Sequence, residues 1–160
     1  MHKNYGYSNK GNEINKLIRH KHNKKRCTLL AAINNKQLVS YKIIDGSVNT
    51  DIYLNFIKEN TNIFKNNEIY QDNARIHHAI KVKEYAAKNN IKLKYNPAYT
   101  PEFNPIELFF NKCKIEFKKL DHINLKDDIK LILKKITSND CQQFYDHTLK
   151  CFNKYISNNL

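Results

Sequence analysis

The chain has 160 residues, enough for one domain with a buried core, and its hydrophobic fraction of 41% excludes a disordered tail. The 28 basic and 15 acidic residues give a net charge of +13. This excess favours a polyanionic partner, nucleic acid before a membrane surface, although a solvated basic surface without a specific partner is the alternative.

The cysteines and the apolar segments indicate the cellular compartment of the protein. Cys27, Cys113, Cys141 and Cys151 are scattered without a C-x-x-C pair, which argues against a zinc ribbon and against a secreted disulfide framework. No apolar run approaches the roughly 20 residues that cross a bilayer, and the polar start MHKNYGYSNKGNE lacks a signal-peptide apolar region. We therefore expect an intracellular protein that is not secreted and has no membrane partner.

Strands and helices alternate along most of the chain. In chain order, the apolar patterns predict strands at 27–33 and 37–44, a helix at 51–64, a strand at 68–72, a helix at 77–89, a strand at 91–96, and helices at 105–119, 125–136 and 140–156. In the helix at 77–89, Ile80, Tyr85 and Ala86 are expected to face inward. A basic run, KLIRHKHNKKR at 16–26, precedes the first strand. The alternation indicates a layered α/β sheet.

Two carboxylates each have a structural and a functional interpretation. Asp72 follows a predicted strand, at the end of an α/β sheet where ligands tend to bind, but Asp-Asn after a strand also begins a turn. Glu107 is the third residue of a helix with Asn104 as N-cap and Pro105 at the first position, which is a capping-box arrangement. The interpretations are compatible, since a first-turn side chain can also point towards a strand end.

Two segments together carry a resemblance to a known family. YQDNARIHH, at 70–78, and YNPAYTPEFNPIE, at 95–107, closely resemble the DDE transposases of the mariner type and their bacterial insertion-sequence relatives. Those proteins carry Asp-Asn-Ala-x-x-His after a strand, then Pro-x-Tyr-Ser-Pro-x-Leu-Asn-Pro-Ile-Glu. Thr100 replaces the serine and Phe103 the leucine, and the spacing of the two motifs is one that the family uses. Upstream, NYGYSNKG resembles the family's Tyr-Gly-Trp-Ser-x-x-Gly segment.

The resemblance implies a fold and a chemistry. The fold would be a ribonuclease H-like mixed sheet flanked by helices, with the catalytic domain over 1–120 and a C-terminal helical extension over 121–160. The reaction would be metal-dependent DNA cleavage and strand transfer, on DNA inside the host cell. Asp72 and Glu107 would be the catalytic metal ligands for Mg²⁺ or Mn²⁺, with two ions in the intact family site.

The resemblance and the charge pattern also give candidate residues for nucleic-acid binding. Asn73, His77 and Asn104 would lie near the site, although His77 and His78 are also ordinary residues for the start of a helix. The basic side chains that could contact phosphates are Arg19, Lys21, Lys24, Lys25, Arg26 and Arg75. The basic run could equally be a solvated loop.

One part of the family pattern has no counterpart in the sequence. The family's first carboxylate lies on a strand upstream of the segment that here begins at Asn4, so we expect an N-terminally truncated chain that lacks the first strand. Asp45 and Asp51 are poor substitutes, because Asp45 would sit on an outer strand. We therefore expect the chain alone to be inactive.

Other interpretations remain open beside an inactive transposase fragment. The chain could bind DNA without catalysis, or it could be an interaction module whose sheet is completed by another chain, in an oligomer. A zinc site from Cys141, His147 and Cys151 is a further alternative, but their spacing suits a single helix only loosely and no fourth ligand is evident.

Overall fold

The strands and helices follow the order that the sequence predicts. The computed structural model describes residues 26–120 and 124–159. Within these ranges the elements are β1 (Cys27–Ile33), β2 (Leu38–Asp45), α1 (Thr50–Glu59), α2 (Thr61–Phe64), β3 (Glu68–Gln71), α3 (Ile80–Lys88), β4 (Lys92–Tyr95), α4 (Pro105–Phe117), α5 (Leu125–Lys134) and α6 (Ser138–Asn159). The helix predicted at 51–64 is instead two helices, because Asn60 leaves the helical conformation and its side chain donates to the Phe56 carbonyl at 2.8 Å. No helix within these ranges is both long and apolar enough to span a membrane.

The strands form two separate pairs. β1 and β2 are antiparallel, with Cys27 opposite Asp45, whereas β3 and β4 are parallel, with Gln71 opposite Tyr95. In the part of the chain that the structure describes, no ladder of hydrogen bonds joins the two pairs. Within that part, β1 and β3 therefore each keep one edge without a strand partner.

Two helical layers cover the opposite faces of β1. Leu30 and Ala32 pack against one core cluster, whereas Leu29 of the same strand packs against another. The buried members of the first cluster are Tyr53, Leu54, Phe56, Ile57, Phe64, Val82, Ala86 and Ile91. Those of the second are Phe109, Leu133 and Phe144. Because successive side chains of a strand point to opposite faces, β1 lies between a layer of α1 to α3 and a layer of α4 to α6.

The buried side of α3 agrees with the sequence prediction at Ala86 and differs from it at Ile80. Val82 and Ala86 are buried, but Ile80, which is predicted to face inward, is 74% exposed. The prediction for Ile80 is wrong because Val82 and Ala86, four residues apart, define the buried side. Ile80 precedes Val82 by two residues, which rotates its side chain by about 200° around the helix.

A capping box holds the start of α6. The backbone N–H and the hydroxyl of Thr137 each donate to Oδ2 of Asp140 at 2.9 Å, and the Asp140 N–H donates to the Thr137 hydroxyl at 3.2 Å. Lys112 of α4 forms an ion pair with the same carboxylate. Burial alone would raise the pKa of Asp140, but the hydrogen bonds from Lys112 and Thr137 hold that pKa below its usual value.

We expect Asp140→Ala to lower the free energy of unfolding by roughly 1–2 kcal/mol at neutral pH, because it removes the cap and the partner of Lys112. Since folding lowers the pKa of Asp140, its contribution is present above the unfolded-state pKa and is lost as the pH falls through the folded-state value. Urea unfolding across the acid range measures this difference, which should shrink as the pH falls. Glu59→Ala, which removes only the exposed pair with Lys42, is the control and should change stability by less than about 0.5 kcal/mol. A difference that stays constant into acid would contradict the prediction.

Candidate active site

Asp72 lies directly after β3, with one carboxylate oxygen held and the other available. Its Oδ1 accepts a hydrogen bond from the Ala74 N–H at 2.9 Å and lies 2.8 Å from Nδ1 of His77. The Asp72 side chain is 59% exposed, so solvent and ions can reach it. The turn predicted for Asp-Asn is therefore present, and it orients the carboxylate.

His77 lies beneath the Asp72 carboxylate rather than on the surface. Its side chain is only 15% exposed, and its ring packs on the ring of Tyr53 with centroids 4.4 Å apart. The Tyr95 hydroxyl donates to the His77 carbonyl at 3.1 Å. Burial raises the pKa of Tyr53, and the nearby Tyr95 and Asp72 add to the effect, so Tyr53 stays neutral. In this arrangement His77 positions Asp72.

The residues after β3 are tied to the end of β4. The side-chain amide of Asn73 donates to the Asn96 carbonyl at 2.5 Å, and its oxygen lies 3.1 Å from Nε2 of His78. The His78 ring stacks on the Tyr95 ring with centroids 4.2 Å apart. These contacts occupy the polar atoms of Asn73, and they fix the loop that carries Asp72 to the neighbouring strand.

Glu107 lies in the first turn of α4, but its carboxylate does not close the predicted capping box. Oδ1 of Asn104 accepts from the Ile106 N–H at 3.4 Å, which makes Asn104 the N-cap, as predicted. The Asn104 N–H, which a capping box would offer to Glu107, donates instead to the Pro101 carbonyl at 3.0 Å. Asn104 is buried, whereas Glu107 is exposed. The carboxylate of Glu107 therefore remains available for another role.

Asp72 and Glu107 line the same cavity. The cavity has a volume of about 470 Å³, and His77 and Asn104 also contribute to its wall. Carboxylate oxygens are the ligands that Mg²⁺ and Mn²⁺ prefer, so the chemistry of this pair suits a divalent ion. Among the described residues no group of three or more His, Cys, Asp or Glu side chains is placed to hold a metal. Asp72 and Glu107 are therefore a candidate pair of metal ligands.

The predicted basic residues are less closely associated with this cavity. Arg75 is exposed in the turn after Asp72. Arg26 precedes β1, where its carbonyl accepts from the Gly46 N–H at 2.6 Å, and it lines a different cavity between β1, α4 and α5. The remaining predicted contacts, Arg19, Lys21, Lys24 and Lys25, lie outside the described residues.

Sequence reasoning missed two residues that the structure brings to the site. Tyr53 supports the His77 ring, and Gln71 is 94% buried at the end of β3 beside Asp72. The Tyr53 hydroxyl donates to Oε1 of Gln71, which joins α1 to β3. The signal that could have indicated Gln71 was a polar residue at the last position of a strand, directly before Asp72.

The strands lie between two helical layers, with acidic side chains after β3 and at the start of α4, which agrees with the ribonuclease H-like fold that the sequence resemblance implies. Residues 1–131 match the sequence model of the family described as DDE superfamily endonuclease. The chain belongs to this family, which confirms the resemblance in the DNARIHH and NPIE segments. A comparison with curated protein sequences found no significant match.

Solved structures of a mariner transposase share the fold. The crystal structure of the catalytic domain of Mos1 mariner transposase superposes with a TM-score of 0.74 at 13% identity, over 84% of this chain and 74% of that one. The Mos1 mariner paired end complex with Mn has a TM-score of 0.74 at 13% identity, over 98% of this chain and 51% of that one. The Mos1 catalytic domain and Raltegravir with Mg has a TM-score of 0.73 at 14% identity, over 86% and 77%. The chain thus spans about half the length of the transposase in the paired end complex.

Proposed function

We propose that this chain is part of a DNA transposase, and that Asp72 and Glu107 are its metal-binding carboxylates for Mg²⁺ or Mn²⁺. The observation that carries the proposal is that these two side chains, from separate elements, line one cavity and both remain exposed. Family membership and the fold support a reaction that cleaves and transfers DNA strands. Such a protein acts where the host DNA is, inside the cell.

Each residue of the candidate site has a distinct part in the proposed reaction. Divalent ions at such carboxylates supply activation of the attacking oxygen and stabilisation of the leaving oxygen. The Ala74 N–H and His77 both contact Oδ1 of Asp72 and so would hold the carboxylate in one orientation. The N-terminus of α4, where backbone N–H groups create partial positive charge, favours a phosphate near Glu107. Arg75 is exposed beside Asp72 and would contact the DNA backbone.

Under this proposal, the isolated chain binds DNA but does not cleave it. The mariner-type transposases that the sequence resembles use three carboxylates, and the described residues contain no cluster of three potential ligands. With two carboxylates, metal affinity is weaker and the leaving oxygen is less well stabilised. A further acid from outside the described residues would complete the metal site. The net charge of +13 favours DNA binding whether or not the metal site is complete.

Non-catalytic DNA binding is the second candidate, and the two differ in metal binding, since only the first requires Mg²⁺ or Mn²⁺ to bind through Asp72 and Glu107. DNA binding and cleavage by the chain alone are tested directly. A labelled DNA duplex is titrated with the protein at several salt concentrations, and supercoiled plasmid is incubated with the protein in Mg²⁺ or Mn²⁺. We expect binding that weakens steeply with salt, equally in the wild-type chain, Asp72→Ala and Asp51→Ala, and no cleavage by the chain alone. Asp51 is the matched control, since it is an exposed acid of α1 paired with Lys81 and does not line the cavity.

The assay has two contradicting outcomes. Cleavage that disappears in Asp72→Ala but persists in Asp51→Ala would mean that the chain is a complete enzyme. Absence of DNA binding at low salt would overturn both candidate functions.

A further inference from the structure

The loop between β4 and α4 carries a fully exposed aromatic residue. Within the part of the chain that the structure describes, Tyr99 is 100% exposed. An aromatic side chain kept entirely in water contributes nothing to the core. Because single exposed aromatic residues are common on protein surfaces, the backbone and the position of Tyr99 decide what this exposure indicates.

The backbone of Tyr99 adopts a conformation that a tyrosine disfavours. Its φ of 61° lies in the left-handed region, where glycine and asparagine are the usual residues. The other non-glycine residues with positive φ in the described ranges are both asparagines, Asn66 and Asn90. The strain at Tyr99 is therefore not repaid by packing of its ring in the core, and strained residues of this kind cluster at functional sites.

The loop on either side of this tyrosine is fixed to the fold. The Thr100 hydroxyl donates to the Pro97 carbonyl at 2.7 Å. The Phe103 ring packs edge-on against the rings of Phe152 and Tyr155 in α6, with both centroid separations at 5.5 Å. These contacts hold the exposed ring in a constant position relative to the rest of the molecule.

The same loop connects the two sides of the candidate active site. At its start, the Asn96 carbonyl is hydrogen-bonded to the side chain of the residue that follows Asp72. At its end, Asn104 caps α4 and lines the cavity together with Glu107. Tyr99 thus lies in the chain segment between the two carboxylates, at the end of the sheet where ligands bind.

Basic side chains lie at the same end of β4. Arg75 is exposed in the turn after Asp72. The Lys83 ammonium group lies 6.0 Å from the centroid of the Tyr95 ring, at the last residue of β4. Exposed cations beside an exposed aromatic ring are the combination by which proteins bind single-stranded nucleic acid, since the cations contact phosphates and the ring stacks on a base.

We propose that Tyr99 stacks on an unpaired base of the DNA strand whose phosphate enters the cavity of Asp72 and Glu107. The identity of that strand rests on the proposed function. In a duplex both faces of each base are covered by neighbouring bases, so the ring selects a strand that is unpaired beside the bound phosphate. Stacking tolerates any base, because every base has a π face. Arg75 and Lys83 contact the adjoining phosphates.

The test compares single-stranded and duplex DNA. The complete chain is titrated without metal into a fluorescein-labelled oligothymidylate of about 12 nucleotides, and into the duplex of the same strand, with fluorescence anisotropy as the readout. Tyr99→Leu keeps an apolar side chain but lacks a ring, so we expect it to bind the single strand at least about fivefold more weakly. Its affinity for the duplex should change by less than about twofold, since the phosphate contacts remain. Tyr99→Phe, which keeps the ring, should restore binding of the single strand.

Two further variants separate stacking from folding. Tyr99→Gly relieves the left-handed strain, so its urea midpoint should be no lower than that of the wild-type chain, although it should lose single-strand affinity as Tyr99→Leu does. Tyr41→Leu is the matched control, because Tyr41 is a 44% exposed aromatic residue of β2 that does not line the cavity. It should leave both affinities unchanged. With iodouracil in place of one thymine, photocrosslinking followed by mass spectrometry should locate the base at Tyr99.

Three results would overturn the inference. The single strand could bind equally to Tyr99→Leu and to the wild-type chain, Tyr99→Leu could lose as much affinity for the duplex as for the single strand, or Tyr99→Phe could fail to restore binding. Any of these, with wild-type binding of both DNAs intact, would reject the role of Tyr99 and leave the proposed function standing. Absence of wild-type binding to either DNA at low salt would instead reject the proposed function, and this inference with it.

Discussion

Asp72→Asn should weaken Mn²⁺ binding by the chain about tenfold or more, and Glu107→Gln should do the same. Each substitution removes one of the two negative charges at the cavity while keeping the shape of the side chain. The asparagine can still accept the Ala74 N–H through its side-chain oxygen, so the loop after β3 keeps its geometry. The weaker Mn²⁺ binding would therefore result from the lost ligand charge and not from a change in the fold. Titration of free Mn²⁺ by electron paramagnetic resonance measures the affinity directly.

The controls for this prediction are two acids that do not line the cavity. Asp51 is paired with Lys81, and Asp45 with Lys126 at 2.7 Å. Asp51→Asn and Asp45→Asn should leave Mn²⁺ affinity unchanged within about twofold, because long-range charge effects are screened at physiological salt. Equal Mn²⁺ affinity in all four variants would mean that the metal binds elsewhere, and the assignment of Asp72 and Glu107 as metal ligands would be wrong.

Phe109→Ala should lower the free energy of unfolding by about 3–5 kcal/mol, the largest stability effect that we expect from one substitution. Phe109 is fully buried in α4, where it forms the second core cluster with Leu133 and Phe144. Its ring also contacts that of Phe110 at a centroid separation of 5.3 Å. Natural domains are stable by roughly 5–15 kcal/mol, so the variant would lose a large part of its stability.

Urea unfolding followed by circular dichroism measures the effect of Phe109→Ala. Ile115→Ala is the matched control, since Ile115 lies on the same helix but is 57% exposed. The control should cost about 1 kcal/mol or less. Similar losses in the two variants would show that α4 does not dock through Phe109, and the position of Glu107 would then need another explanation.

Much of the fold could be predicted from the sequence because it depends on neighbouring residues. The strand and helix order follows from the spacing of apolar residues, and Asn104 and Pro105 indicate the start of α4 by their local conformational preferences. The motifs around Asp72 and Glu107 likewise identify the family, since their order and separation are properties of the chain itself. The buried side of α3 was predicted wrongly at Ile80, because periodicity alone does not tell which of two apolar sides meets the core.

Only the tertiary structure decided how the candidate residues are used. The sequence left Glu107 with two interpretations, and the hydrogen bond from Asn104 to the Pro101 carbonyl leaves the Glu107 carboxylate out of a capping box. The packing of His77 against Tyr53, and the cavity lined by Asp72 and Glu107, arise from residues far apart in the chain. Contacts of that kind depend on how helices and strands pack together. Local sequence therefore determined which elements and which carboxylates are present, and long-range packing determined which side chains face the cavity.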